Sequence, residues 1–221
     1  MAQGLPCPEQ VQSYSMGTLL HIDSSPRGEN SRSRLLASAF IASWKEIHPD
    51  DKVIYRDLRN TSIPHITEEW IAADFTPRDA LTAEVRQELE LSDILVDEFL
   101  AADRCLYSVP MYNFGIPSSF KAYIDNLVRF GRTFTSENGR YQGLAQEKKV
   151  LFITARGVEY GSGSPYRGWD AQEPGLRYAF QFMGVSDISF IHACGLDLGE
   201  ESLRSSLEKA KGEILNLSSS W

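Results

Sequence analysis

The segment from Met111 to Asp125 combines residues that suit a flat ligand, because an aromatic turn is punctuated there by Gly115 and Pro117. The apolar run Cys105 to Val109 predicts a buried strand, and Pro110, which lacks an N–H group, predicts its end. The amphipathic pattern after the turn predicts a helix. A turn fixed in this way can press main-chain N–H and C=O groups against a flat ring. The alternative is that its aromatic side chains fill the core.

The second segment is a loop rich in hydroxyl groups, residues 24–33. The run Thr18 to Asp23 before it predicts the first strand, and a helix is predicted to begin at Arg32. A helix N-terminus carries roughly half a positive charge, and serine hydroxyls add neutral donors, so the loop suits a phosphate group. Arg32 adds a charge-assisted contact. The loop also fits an ordinary N-cap by Asn30 or Ser31, and the two roles are compatible.

The third segment runs from Ala155 to Gly163 and follows a strand predicted over residues 149–154. The alternative is a flexible surface loop. The three segments follow predicted strands one, three and four, whose carboxyl ends meet at one edge of a parallel sheet. This convergence predicts a cofactor site at that edge.

These segments resemble the flavin-binding loops of FMN-dependent NADH:quinone reductases of the azoreductase type. The resemblance to this family extends over nearly the whole chain from Met16. The resemblance implies that FMN is bound by three sets of residues: the isoalloxazine by Met111, Tyr112, Asn113 and Phe114, the phosphate by Ser25, Ser31, Arg32 and Ser33, and the pyrimidine edge by Ala155, Arg156, Gly157 and Val158. Two positions depart from the family pattern. Ala155 stands where serine is frequent, and Val158 stands where a second glycine is frequent, so only main-chain contacts carry over there.

The resemblance also implies a function. NADH or NADPH reduces FMN and leaves, and a quinone, azo or nitro aromatic compound then takes its place in a ping-pong cycle. The flavin carries the chemistry, so no catalytic side chain is expected. Family members are homodimers whose pocket is shared across the interface. Trp70, Phe75, Phe134 and Tyr160 are candidate substrate walls or plain packing residues.

Two other functions remain open at this point. A flavodoxin-like electron carrier would bind FMN and dock redox partners through acidic groups around the flavin loops. A flavin-binding sensor would hold FMN without turnover of NAD(P)H. Oxidation of NADH in the presence of a quinone would separate the enzyme from both.

The predicted elements alternate between strand and helix, which is typical of an α/β fold with a parallel sheet. Further strands are predicted over 52–58 and 188–193. We expect a flavodoxin-like, doubly wound five-stranded sheet in the order 2-1-3-4-5, with helices on both faces. The predicted helices are 32–47, 82–102, 118–130 and 200–217, and a hairpin is predicted through Asn138 and Gly139.

Composition narrows the classes of partner. The net charge of −8 argues against a nucleic acid or an anionic membrane, because both need clustered Lys and Arg. The histidines lack metal-ligand spacing, so no metal is expected. The odd number of cysteines, Cys7, Cys105 and Cys194, without CxxC spacing favours a reduced, cytoplasmic protein. Residues 1–15 are predicted to be a disordered extension, and residues 16–221 a single FMN-binding domain.

Overall fold

A computed structural model describes residues 16–221. The predicted disordered extension, residues 1–15, lies outside the described residues. The strands are β1 (Thr18–Asp23), β2 (Lys52–Asp57), β3 (Arg104–Pro110), β4 (Phe134–Glu137), β5 (Arg140–Gly143), β6 (Lys149–Ala155) and β7 (Asp187–Ala193). The α-helices are α1 (Arg32–Ile47), α2 (Glu68–Asp74), α3 (Ala83–Ala101), α4 (Ser118–Leu127), α5 (Gln172–Phe182) and α6 (Glu200–Ser218).

Five strands form a parallel sheet in the order β2-β1-β3-β6-β7, which confirms the predicted order. The central strands are apolar on both sides because helices cover both faces. Leu106 of β3 packs in the core beneath α1 and α6, whereas Cys105 and Tyr107 pack in the opposite core beneath α3, α4 and α5. The carboxyl ends of all five strands therefore lie at one edge of the sheet.

The structure corrects the predicted elements in two respects. Helix α4 ends at Leu127 rather than at Phe130, because the Thr133 hydroxyl donates to the Leu127 carbonyl at 2.7 Å and accepts from the Arg129 N–H at 2.9 Å. Helices α2 and α5 were not predicted. Helix α2 has only seven residues, and α5 carries Pro174 in its first turn, where a missing N–H costs little.

The predicted hairpin is confirmed, since β4 and β5 pair antiparallel around Asn138 and Gly139, whose φ angles are 52° and 74°. Its far end packs closely on helix α5. A Cβ at Gly143 would lie 2.1 Å from the Gly184 nitrogen, and the Ala145 N–H donates to the Met183 carbonyl at 2.8 Å.

Trp221 fixes helix α6 to α1 at the opposite edge of the sheet. It is 6% exposed, and its ring centroid lies 5.4 Å from that of Phe40 and 5.8 Å from that of Trp44, edge-on in both cases. Its main-chain oxygen accepts from Lys149 Nζ at 3.0 Å. Within residues 16–221, no helix has the length and apolar character required to cross a membrane.

Candidate cofactor site

The carboxyl ends of β1, β3 and β6 surround a cavity of about 300 Å³. All three predicted loops contribute to its wall, through Ser25, Ser31, Arg32, Met111, Tyr112, Ala155, Arg156 and Gly157. The volume lies at the lower end of the range for small-molecule sites, roughly 300–1,000 Å³. Four predicted residues lie outside this wall: Ser33, Asn113, Phe114 and Val158. Their contact with a cofactor stays a prediction.

The turn after β3 is closed by reciprocal hydrogen bonds of 3.1 and 3.0 Å between the main chains of Tyr112 and Gly115. Its central residues, Asn113 and Phe114, have φ angles of 47° and 68°. Asparagine tolerates this left-handed conformation, whereas phenylalanine rarely adopts it, at a cost of about 1–2 kcal/mol. The reciprocal bonds use the N–H groups of Tyr112 and Gly115. Those of Asn113 and Phe114 take no part in them, so the strained turn can present two donors to a ligand.

The loop after β1 is fastened to the sheet and to helix α1. The Ser24 hydroxyl donates to the Ser108 carbonyl at 2.7 Å. Ser31 is the N-cap of α1, with its oxygen accepting from the Arg34 N–H at 3.4 Å, so the N-cap interpretation is confirmed. The Ser25 oxygen accepts from the Arg27 N–H at 3.3 Å, which leaves its hydroxyl proton available to an anion.

The third loop is locked by the Arg156 side chain, which is 3% exposed. Its Nε donates to Gln172 Oε1 at 3.0 Å, and its Nη1 donates to Asp170 Oδ2 at 2.9 Å. Gln172 also donates to the Val109 carbonyl at 3.2 Å, so the start of α5 ties this loop to the end of β3. Arg156 Nη2 is buried without a hydrogen-bond partner among the described residues. The guanidinium is therefore enclosed by protein, and it fixes the loop.

A fourth segment, after β7, completes the wall. Five wall residues were not predicted as binding residues: Arg27, Pro110, Leu196, Asp197 and Leu203. The Asp197 N–H donates to the Gly157 carbonyl at 3.0 Å, and a Cβ at Gly157 would lie 2.3 Å from Asp197 Oδ2. Only glycine fits this approach without movement of the carboxylate. The sequence did contain one indication that this segment belongs to the site: it follows the fifth strand of the sheet, so it lies at the same edge as the three predicted loops.

Aromatic rings lie beside the turn that follows β3. The centroids of Phe114 and Trp169 are 5.4 Å apart, both rings are about half exposed, and Tyr166 continues the group at 5.8 Å from Trp169. The Ala171 N–H donates to the Phe114 carbonyl at 3.1 Å, which holds the two segments together.

Of the predicted substrate walls, Trp70 and Phe134 are buried, which favours the packing alternative for both.

One histidine lies at this edge of the sheet. His192 Nε2 lies 2.9 Å from Glu173 Oε2, and its Nδ1 lies 2.7 Å from the Thr154 hydroxyl. Burial lowers the pKa of His192, and the nearby charge of Arg156 lowers it further. The imidazole is thus a neutral, hydrogen-bonded part of the scaffold around physiological pH.

A doubly wound sheet with a ligand cavity at its carboxyl edge defines a class of nucleotide- and flavin-binding proteins. The chain belongs to the flavodoxin-like fold family, whose model matches residues 17–217.

Individual relatives are similar over nearly the whole chain. The chain is 52% identical over 207 residues to FMN-dependent NADH:quinone oxidoreductase 2 of Trichormus variabilis, and the matched region covers 93% of this chain and 100% of the relative. It is 40% identical to the FMN-dependent NADH:quinone oxidoreductase of Legionella pneumophila, covering 90% and 96%. The crystal structure of an azoreductase from Bacillus anthracis superposes with a TM-score of 0.86 at 26% identity, covering 93% and 100%.

Proposed function

We propose that the protein is an FMN-dependent oxidoreductase that takes hydride from NADH or NADPH and reduces quinones and azo or nitro aromatic compounds. The observation that carries the proposal is the single cavity wall formed by the three flavin-type loops. The similarity to quinone oxidoreductases and an azoreductase supports the same activity. One FMN-binding domain then occupies residues 16–221.

The donors around the cavity fit FMN. Hydroxyls of Ser25 and Ser31, the Arg32 guanidinium and the N-terminus of α1 suit a phosphate at one end. Met111 and Tyr112 offer flat apolar surface further along. The turn after β3 leaves the N–H groups of Asn113 and Phe114 outside its own reciprocal hydrogen bonds, so a ligand that accepts hydrogen bonds can take them.

Bound FMN supplies two-electron hydride chemistry, and the chain supplies binding and orientation. The turn holding Asn113 and Phe114 presents main-chain donors toward the ring system. The loop at Arg156 and Gly157 closes the cavity beside the pyrimidine edge of the ring. We assign no residue of the wall as a general acid, and we expect solvent to protonate the product.

The first experiment is the visible spectrum of the purified protein, with release and identification of its cofactor. NADH is then added anaerobically, followed by a quinone. We expect FMN that bleaches with NADH and recovers its colour with quinone, and parallel initial-rate lines when both substrates are varied. FMN that stays oxidised with NADH would favour the carrier or the sensor. Failure to bind any flavin on reconstitution would contradict the loop assignments.

The acceptor stacks, in this proposal, beside the exposed rings of Phe114 and Trp169. An aromatic pair contributes about 0.5–1.5 kcal/mol, so Trp169→Leu should raise KM for a planar quinone roughly two- to tenfold. Its affinity for FMN should stay unchanged. Tyr178→Leu, at an exposed ring on α5, is the matched control. Equal KM values in both variants would place the acceptor elsewhere.

We further propose a homodimer whose pocket is shared across the interface. Support comes from an aromatic strip in which the exposed rings of Phe75, Phe130, Tyr141 and Phe182 surround the buried ring of Phe134, with neighbouring ring centroids 4.8–6.1 Å apart. Contiguous exposed apolar groups of this kind mark interaction surfaces. Sedimentation should give a dimer for the natural chain and a monomer for a Phe75→Asp/Tyr141→Asp variant, with Leu215→Asp as control. A natural monomer would refute this part.

We place the enzyme in the cytoplasm. Cys105 is a free and fully buried thiol, and Cys194 is also free. Unpaired cysteines are typical of a reducing compartment. Fractionation of the source cells with an antibody to the protein tests this, and recovery outside the cytoplasm would contradict it.

A further inference from the structure

Arg34, in the first turn of α1, lies behind the phosphate loop rather than in the cavity wall. It is 8% exposed, and its guanidinium faces the ends of β1 and β2. Nε and Nη2 donate to the Ser25 carbonyl at 3.0 and 2.6 Å. Nη1 donates to Asp57 Oδ2 at 2.9 Å and to Asp23 Oδ2 at 3.3 Å, and Nη2 also contacts Asp57 Oδ1. All three nitrogens are therefore engaged within the protein.

The two carboxylates face each other because Asp23 and Asp57 are register partners on adjacent parallel strands. Two buried like charges repel unless a cation lies between them, and Arg34 occupies that place. Asp23 is held further by the Ser108 hydroxyl at 2.5 Å and the Tyr55 hydroxyl at 2.9 Å. Burial raises the pKa of Asp23, but His21 and these hydroxyls outweigh burial and leave it below its usual value. Arg34 is thus anchored to a charged, rigid base.

The contact with Ser25 matters because Pro26 follows. The peptide between them has a carbonyl but no N–H, so toward an anion it offers only a repulsive acceptor. Two donors from Arg34 hold that carbonyl on the side away from the cavity wall. Ser25 lines the cavity, and its hydroxyl only accepts a hydrogen bond, from the Arg27 N–H, so its proton is free for a ligand.

We propose that Arg34 is a positioning residue that gives the loop its selectivity for a phosphate, by holding the Ser25 carbonyl away from the anion without touching it. This inference rests on the proposed function. It predicts that preference for FMN over riboflavin, which lacks the phosphate, depends on a residue outside the cavity wall.

The test is a titration of the apo-protein with FMN and with riboflavin, for the natural chain and for Arg34→Lys. Binding is monitored by the quenching of flavin fluorescence. Lysine keeps the charge but loses the forked donors. We expect the Kd for FMN to rise ten- to hundredfold and the Kd for riboflavin to change less than twofold. Arg56→Lys is the matched control, because Arg56 makes a comparable forked pair with Glu98, at 2.8 and 2.5 Å, away from the loop.

The ratio of the Kd for riboflavin to the Kd for FMN decides whether Arg34 has this role. An unchanged ratio of the two Kd values in Arg34→Lys overturns the inference, whether both affinities fall together or neither changes. If Arg34→Lys does not fold, as judged by circular dichroism, Asp57→Asn replaces it, with a three- to tenfold rise expected for FMN alone. If the natural chain binds neither flavin, the proposed function is refuted as well. If the natural chain and all variants show the same preference for FMN over riboflavin, only the role of Arg34 is refuted.

Discussion

Gly28 is the position in the phosphate loop where one methyl group should do the most harm. Its φ angle is +54°, in the left-handed region, and a Cβ there would lie 2.3 Å from Arg59 Nη1. The backbone cost for alanine is about 1–2 kcal/mol. Displacing Arg59 also disturbs its ion pair with Asp57 at 3.4 Å, worth at most about 1 kcal/mol because the Arg59 side chain is 45% exposed. We therefore expect Gly28→Ala to lower the free energy of unfolding by about 1–3 kcal/mol.

The same change should weaken FMN binding, because the strained backbone lies in the loop assigned to the phosphate and Arg59, which follows β2, packs against that loop at Gly28. Loss of about 1.4 kcal/mol corresponds to a tenfold higher Kd. Urea unfolding of the apo-protein and flavin titration give the two quantities separately. Gly139→Ala is the matched control, since its φ of +74° imposes similar strain but no atom lies within 4 Å of the new Cβ.

Adding Arg59→Ala to Gly28→Ala removes the obstructing side chain, so the double variant should regain the steric part of the loss and keep the backbone part. The reasoning fails if Gly28→Ala binds FMN like the natural chain and unfolds within about 0.5 kcal/mol of it. It fails equally if Gly139→Ala weakens FMN binding to the same extent.

Three further outcomes are expected. Trp221→Ala should lower the free energy of unfolding by about 3–5 kcal/mol in a urea titration, and Trp221→Phe by much less, because a buried ring between α1 and α6 is lost only in the first; similar values for both would contradict this packing. The pKa values of Asp23 and Asp57 are lowered, so the unfolded chain takes up protons on these two groups first as pH falls; their contribution to stability should be level from pH 7 to 5 and be lost below about pH 4, so the difference in stability between the natural chain and Asp57→Asn should shrink only below about pH 4, and a difference that does not change there would count against the network. Gly143→Ala should cost about 1–3 kcal/mol by forcing the hairpin away from α5, whereas a thermal melt like that of the natural chain would show that the hairpin moves freely.

The sheet and its ligand edge could be predicted because their signals are local. Each central strand is a short apolar run, and each loop follows its strand directly, so strand order and crossover handedness bring the loops together. Ser31 as an N-cap and the Asn138–Gly139 turn follow from residue type in the same way.

What was missed depends on contacts between distant residues. The start of α5 is held by Gln172 and Asp170 around Arg156, and the Gly175 and Pro174 inside it weaken any helical pattern. Asp197 joins the cavity only because Gly157 lets it approach. The role of Arg34 is likewise invisible in the sequence, since the arginine reads as an ordinary polar residue near the start of a helix.

The closed turn from Tyr112 to Gly115 has a kinetic consequence. Its shape is already set by its own two hydrogen bonds and by the left-handed central residues, so little backbone entropy is left to lose when a ring arrives. Flavin association should then be a single, concentration-dependent step without a slow rearrangement, and exchange of the Tyr112 and Gly115 amides, which are already bonded within the turn, should hardly slow on binding. The left-handed conformation of Phe114 is already present before any ligand arrives, so flavin binding does not wait for the turn to form.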